Sequence, residues 1–148
     1  MSFFPKAQDF ADRVRDSFDR QSVMKTCGIE LVSVAPGEIA LTLHSAPGLT
    51  QQHGFIHAGI MATALDSACG FAAFSLMPVD AGVLTIEFKI NLLAPARGEL
   101  FDIRGHVVKP GRTITVCEAS ATARDSGSLV CTMTATVMTI VDRPGISG

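Results

Sequence analysis

Between residues 83 and 93 apolar and polar side chains alternate without a break. Leu84, Ile86, Phe88, Ile90 and Leu92 take the even positions; Thr85, Glu87, Lys89 and Asn91 take the odd ones. A period of two belongs to a strand with one face on a core. It predicts that Leu84 and Ile86 face inward and that Thr85 faces away. The run Glu38-Ile39-Ala40-Leu41-Thr42-Leu43-His44 alternates in the same way. Pro36-Gly37 marks a turn before it, so residues 29–35 and 38–45 read as a hairpin. Residues 99–108, 112–124 and 128–141 read as three more strands, with turns at Pro110-Gly111 and Asp125-Ser126-Gly127. In the last of them Cys131, Met133, Ala135 and Val137 share one side, opposite Thr132, Thr134 and Thr136.

Two segments follow a different period. Over residues 5–20, Phe10, Val14 and Phe18 form an apolar stripe, with Asp12, Arg13, Asp16, Asp19 and Arg20 outside it. That is an amphipathic helix packed on the edge of a domain. Residues 58–76 form a longer helix rich in small side chains, among them Ala58, Gly59, Ala62, Ala64, Ala68, Gly70, Ala72 and Ala73. Small side chains allow another element to approach the backbone closely, so this helix is expected to be wrapped by something. The stretch 46–56, with Pro47, Gly48 and Gly54, is a loop. The order is helix, hairpin, long helix, four strands. Strands do not alternate with helices, so the class is α+β. Short turns make the last strands antiparallel neighbours. The expected architecture is one long antiparallel sheet curled around a central helix. The chain reads as a single domain over 1–148, with the N-terminal helix at about 5–20, a core at about 25–141 and a short tail over 142–148.

Composition narrows the function classes. With 148 residues and 47% apolar content the chain can bury one core without staples. A formal charge of −2 gives no clustered basic excess for nucleic acid or an anionic membrane. Cys27, Cys69, Cys117 and Cys131 are widely spaced and form no CxxC or zinc-like pattern. They read as buried reduced thiols, which suits a reducing compartment. No basic region followed by a long apolar stretch opens the chain, so no signal peptide is expected and the location is cytoplasmic. The apolar-rich run from Ala58 to Met77 contains Asp66 and many small residues, and reads as a buried helix in preference to a membrane span.

Asp66 is the main chemical candidate. It sits mid-helix between Ala64-Leu65 and Ser67-Ala68. A carboxylate there costs free energy to bury unless it is paired. It is either a structural or interface Asp making a hydrogen bond, or a general base or nucleophile whose pKa desolvation raises. The helix start is the second candidate. Phe55-Ile56-His57-Ala58-Gly59 carries no Ser, Thr, Asp or Asn at the expected cap. Its first N–H groups are then free to face a ligand, unless water or a loop carbonyl takes them. His57 and Asp66 are nine residues apart. At about 100° and about 1.5 Å per residue they lie on opposite faces, about 13 Å apart along the axis. If both take part in one reaction, the site is composite, with one element from each of two chains. Thr85 is either a plain strand residue or one that positions water. His44 and His106 read as solvent-facing or structural strand residues. Arg97, Lys109 and Arg112 stand at strand ends, where they are solvated turn charges or hold the phosphates of a nucleotide-bearing substrate. There is no GxGxxG or P-loop pattern.

Gln51-Gln52-His53-Gly54-Phe55-Ile56-His57-Ala58-Gly59, followed by Ala64-Leu65-Asp66-Ser67-Ala68, resembles the PaaI-type hotdog-fold acyl-CoA thioesterases. Their pattern is Asn/Gln-x-x-G-x-x-H-G-G with a helical Asp nine residues after the His. Gly82-Val83 through Pro95 resembles the family's next strand, and the resemblance spans roughly residues 25–141. It implies the hotdog fold and hydrolysis of an acyl-CoA, aryl esters included, to free acid and CoA. Asp66 would be general base or nucleophile, and the Ala58 N–H would polarise the thioester carbonyl. Gln51 and His57 would orient the carbonyl, the water or the loop. Thr85 would match a Ser/Thr near the carboxylate. His53 and Gly59 would join Thr85, Arg97, Lys109 and Arg112 on the substrate-binding side. No metal and no cofactor is implied, since CoA is part of the substrate. The family's sites lie between subunits of homodimers or homotetramers. Ala58 departs from the family's Gly; it keeps the N–H and adds a methyl beside the thioester, which bears on substrate range. A hotdog hydratase or dehydratase is a second reading, with His57 and Asp66 as an acid–base pair. A non-catalytic acyl-CoA-binding protein is a third.

Overall fold

The computed structural model describes residues 2–148. Two helices come first, α1 (Phe10–Arg20) and α2 (Ser22–Thr26). They are followed by the hairpin β1 (Ile29–Ala35) and β2 (Glu38–His44), a single 3₁₀ turn at Pro47–Leu49, and the central helix α3 (Ala58–Phe74). Four strands complete the chain: β3 (Ala81–Leu92), β4 (Leu100–Lys109), β5 (Ile114–Ala123) and β6 (Leu129–Val141). They join one six-stranded sheet in the order β1-β2-β4-β5-β6-β3, and every neighbouring pair is antiparallel. This is the expected α+β hotdog architecture, with β1 and β3 as its two edges.

The small side chains of α3 have a direct physical use. A Cβ placed on Gly105 of β4 would lie 2.6 Å from the backbone carbonyl of Ala68. Helix and sheet therefore touch backbone to backbone at this crossing, and no larger residue fits. Around the contact Leu65, Ala68, Cys69 and Ala72 meet Phe101, Ile103, Ala121, Met133 and Val137, all buried. The helix ends two residues earlier than its composition predicts. Ser75 Oγ donates to the Ala72 carbonyl at 2.7 Å and accepts the Gly37 N–H at 2.8 Å, which ties the helix end to the β1–β2 turn.

The N-terminal helix is shorter than the 5–20 expected from its apolar stripe. It begins at Phe10, and Val14 and Phe18 are its buried residues. The five-residue α2 has no counterpart in the sequence reading, since too few residues show a period there. Among the described residues no helix is long and apolar enough to cross a membrane.

β3 corrects the alternation rule. Thr85 lies opposite Val137 and Glu87 opposite Thr136, so Ile86 is an extra residue at a bulge. Directly opposed residues share a face. Before the bulge Thr85 therefore points to the helix side, like buried Val137. After it Phe88, Ile90 and Leu92, opposite Ala135, Met133 and Cys131, do so. Leu84 and Ile86, expected in the core, are 46% and 50% exposed. One inserted residue exchanges the two faces and turns the Thr85 hydroxyl toward α3.

Candidate active site

Asp66 lies in the middle of α3, and the bulge places Thr85 against it. Thr85 Oγ1 donates to Asp66 Oδ1 at 2.8 Å. A cavity of about 90 Å³ adjoins the carboxylate, lined by Gln21, Ser67, Gly70, Phe71, Val83 and Thr85. Burial lifts the Asp66 carboxyl above its ordinary value, and the Thr85 hydrogen bond acts the other way without cancelling it. A carboxylate held this way is a stronger base than a solvated one.

At the start of α3 the sequence expectation needs correcting. The cap is His57 itself, whose Nδ1 accepts the Gly59 N–H at 2.9 Å. This bond needs an unprotonated Nδ1, so in the neutral ring Nε2 carries the proton. Imidazole falls outside the usual capping residues, which is why the motif looked uncapped. The His57 carbonyl takes the N–H groups of Ile60 and Met61. Among the described residues the Ala58 N–H has no acceptor. One free N–H thus remains at the positive end of the helix dipole, where developing negative charge is stabilised.

The preceding loop is built around Gln51. Its Oε1 accepts from the N–H groups of His53 and Phe55, and its own N–H donates to the Phe55 carbonyl. Beside it a cleft of about 400 Å³ is lined by Gln51, Phe55, Ala58, Met61, Leu93 and Pro95, among others. This cleft and the Asp66 cavity share no lining residue. One chain therefore holds a carboxylate and a free helix N-terminal N–H in separate cavities, as their spacing required.

A family model described as the thioesterase superfamily matches residues 53–130, which include both cavities' principal residues, Ala58 and Asp66. The chain belongs to the thioesterase superfamily. It is a thioester hydrolase. A crystal structure of a thioesterase family protein from Silicibacter pomeroyi is 54% identical, with a TM-score of 0.87, covering 89% of this chain and 98% of that one. Human acyl-coenzyme A thioesterase 13 is 29% identical over 105 residues, 69% of this chain and 73% of the relative. The Escherichia coli PaaI protein shares the fold at a TM-score of 0.81 and 16% identity, covering 92% of this chain and 94% of PaaI.

The remaining candidates of this thioesterase fall into two groups. Arg97 lies at the α3 N-terminal end, its guanidinium 5.0 Å from the Phe55 ring centroid at the margin of the larger cleft. His53 and Gly59 are exposed near it. Lys109 and Arg112 are exposed around the β4–β5 turn, which borders the opposite end of α3 through Ala73, Leu76 and Met77. A 17-residue helix separates the groups, about 25 Å at 1.5 Å per residue. His44 and His106 are half-exposed beside Glu30 and Glu118, as expected for surface strand residues. All four cysteines are buried and free. Burial pushes the Cys131 thiol up to about 11 and Cys117 up to about 12, so both stay protonated and poorly nucleophilic.

Sequence reasoning missed Gln21 and Ser67. Gln21 joins α1 to α2, and its side-chain Oε1 accepts from Ser67 Oγ at 3.3 Å. It fell between two periodic segments, so no pattern pointed to it. Ser67 had one available signal, its place beside Asp66.

Proposed function

We propose that the chain hydrolyses acyl-CoA thioesters to free acid and CoA at a site shared by two copies. The observation that carries this is the pairing of a desolvated carboxylate, Asp66 on Thr85, with a free helix N-terminal N–H at Ala58, in cavities that one chain keeps apart. The human relative's name, acyl-coenzyme A thioesterase, supports the choice of CoA ester. The unpartnered edge of β3 supports the dimer. It carries Leu84, Ile86, Phe88 and Leu92 at 42–57% exposure, next to the strand segment that positions Thr85. Two such strands meeting across a two-fold axis would bury these side chains and set each Asp66 toward the other copy's α3.

In this reading Asp66 takes a proton from water as the water oxygen adds to the thioester carbon. The Ala58 N–H of the partner subunit stabilises the tetrahedral oxyanion. The oxyanion then collapses, the C–S bond breaks, and the proton held by Asp66 passes to the departing thiolate. His57 fixes the Gly59 N–H, which leaves the Ala58 N–H as the donor, and Gln51 holds the loop that presents it. Arg97 serves the CoA phosphates from the larger cleft; Lys109 and Arg112 serve them only from the other copy.

Free-thiol release from a panel of aryl- and alkyl-CoA thioesters tests the reading. Asp66→Ala is expected to lose at least about 10²-fold in turnover, the scale of a general base. Hydrolysis that persists in this variant would remove Asp66 from the mechanism. Mixing Asp66→Ala with a Gln51→Ala/His57→Ala chain should restore activity, because a mixed dimer holds one intact site. Two inactive parents that stay inactive after subunit exchange would rule out a shared site.

A further inference from the structure

The cavity beside Asp66 extends beyond the carboxylate, and Gln21, Gly70 and Phe71, which line it, have no part in the chemistry described above. Asp66, Ser67, Gly70 and Phe71 follow one another along α3, and Val83 and Thr85 follow along the helix-facing side of β3. The space therefore runs from the carboxylate toward the C-terminal half of the helix. Gln21 and Phe71 complete its lining.

Gln21 is fixed in place. Its N–H donates to the Phe18 carbonyl, and its own carbonyl accepts the Met24 N–H at 3.0 Å. Phe18 packs on Phe71 with ring centroids 5.7 Å apart. The side-chain amide meets the buried Ser67 through one hydrogen bond. The α1–α2 junction is thus a rigid stopper over the cavity.

Gly70 is the second mark of a used space. Glycine inside a helix is unfavourable relative to alanine. At Gly105 close packing demands it, but a Cβ on Gly70 would meet no heavy atom within 4 Å. Packing within the chain therefore gives no reason for glycine at this position, and what its missing side chain provides is room in the cavity.

We infer that this cavity receives the acyl group, and that Gln21 and Gly70 in its lining set the length of acyl chain the enzyme accepts. The inference rests on the acyl-CoA reading with Asp66 beside the thioester carbon. The carbonyl carbon must sit at Asp66, so the acyl group must start at the cavity's mouth. Its wall combines polar Gln21 and Ser67 with apolar Phe71 and Val83. An apolar cavity of about 150 Å³ takes up benzene, whereas the space that one chain encloses here is about 90 Å³. The preferred class is therefore a short aliphatic acyl-CoA, with longer and aryl esters disfavoured.

Two variants move the limit in opposite directions. Gln21→Ser shortens the stopper and gives α2 a favoured N-cap residue, so it should fold. Gly70→Ala fills the cavity without a clash and should raise the melting temperature. The readout is the ratio of kcat/KM for hexanoyl-CoA or phenylacetyl-CoA to that for propionyl-CoA. Wild type should favour propionyl-CoA by about tenfold or more, within the usual range of pocket discrimination. Gln21→Ser should raise the hexanoyl-to-propionyl ratio about tenfold, Gly70→Ala should lower it, and Gln21→Met, which refills the volume, should restore the wild-type ratio. Wild type that hydrolyses all three esters equally would overturn the inference. So would folded variants whose activities fall in parallel on every substrate. Asp66-dependent hydrolysis with an unmoved ratio would overturn this inference alone, whereas a wild type inert toward every CoA ester would overturn the acyl-CoA reading with it.

Discussion

The two edges of the sheet solve the same physical problem differently. Each presents unpaired backbone groups that invite another strand. β1 is covered in part by α1 and α2; Ile29 is buried, and Glu30 pairs with His44 at 3.2 Å. Its register shifts between Leu31 and Ser33, and Val32 at that shift is its one large apolar residue with high exposure. β3 has a bulge too, but it leaves Leu84, Ile86, Phe88 and Leu92 exposed, and Leu93 beyond them. A chain that protects one edge and leaves the other apolar has an edge to be covered. The uncovered one also holds Thr85 against Asp66. In the proposed dimer, assembly and chemistry thus fall on the same strand.

The largest effect expected follows from that contrast. Ile86→Asp combined with Phe88→Asp places charge on two exposed apolar side chains of the β3 edge and should give a monomer by sedimentation. Because the proposed site is shared, activity should fall as far as in Asp66→Ala, about 10²-fold or more. Val32→Asp on β1 should leave both mass and turnover within about twofold, as for most surface substitutions. Dissociation by the β1 variant, or an active β3 monomer, would reverse the roles of the two edges.

The same contrast explains how far the sequence could be read. The strands and α3 were legible because burial on one face leaves a period, and because backbone contact at Ala68 and Gly105 demands small residues. The separation of His57 and Asp66 was legible from helix geometry alone. The β3 bulge was not. The alternation from Val83 to Leu92 runs unbroken through Ile86, since the apolar residues Leu84 and Ile86 stand outside the core before the bulge and Phe88, Ile90 and Leu92 face the helix after it. The alternation therefore turns Thr85 away from Asp66, and only the bulge brings the two together. Gln21 was hidden for another reason: its contacts come from a chain reversal between short helices, where no period exists.

A smaller effect concerns Thr85. Its hydrogen bond favours the charged form of Asp66, so Thr85→Ala should raise the carboxyl's pKa further. Activity that needs the carboxylate is lost as pH falls through that pKa. The acid limb of kcat/KM should therefore move to higher pH in Thr85→Ala. On the limb the loss should be about tenfold or less, the worth of one hydrogen bond to a charged group, and it should shrink as pH rises. A uniform loss at every pH would mean that Thr85 acts on substrate and not through Asp66.

The smallest effect is on stability, and its sign is opposite to that of activity. Burial raises the Asp66 carboxyl above its ordinary value of 3.8, so the folded chain binds more protons than the unfolded chain between 3.8 and the raised value. Stability contributed by this group is then highest below 3.8 and falls as pH rises through that window. Asp66→Asn keeps an acceptor for Thr85 and does not titrate. It should match wild type in acid and melt higher at neutral pH, by roughly 2–4 °C for a domain of this size, while hydrolysis is lost. Thermal melts across the window check this. Covering β3 with a second copy removes more water from Asp66, so the gain should be larger in the dimer than in the Ile86→Asp/Phe88→Asp background. An equal gain in both would show that α3 and β3 of one chain desolvate the carboxylate unaided, and that the partner brings only its helix N-terminus.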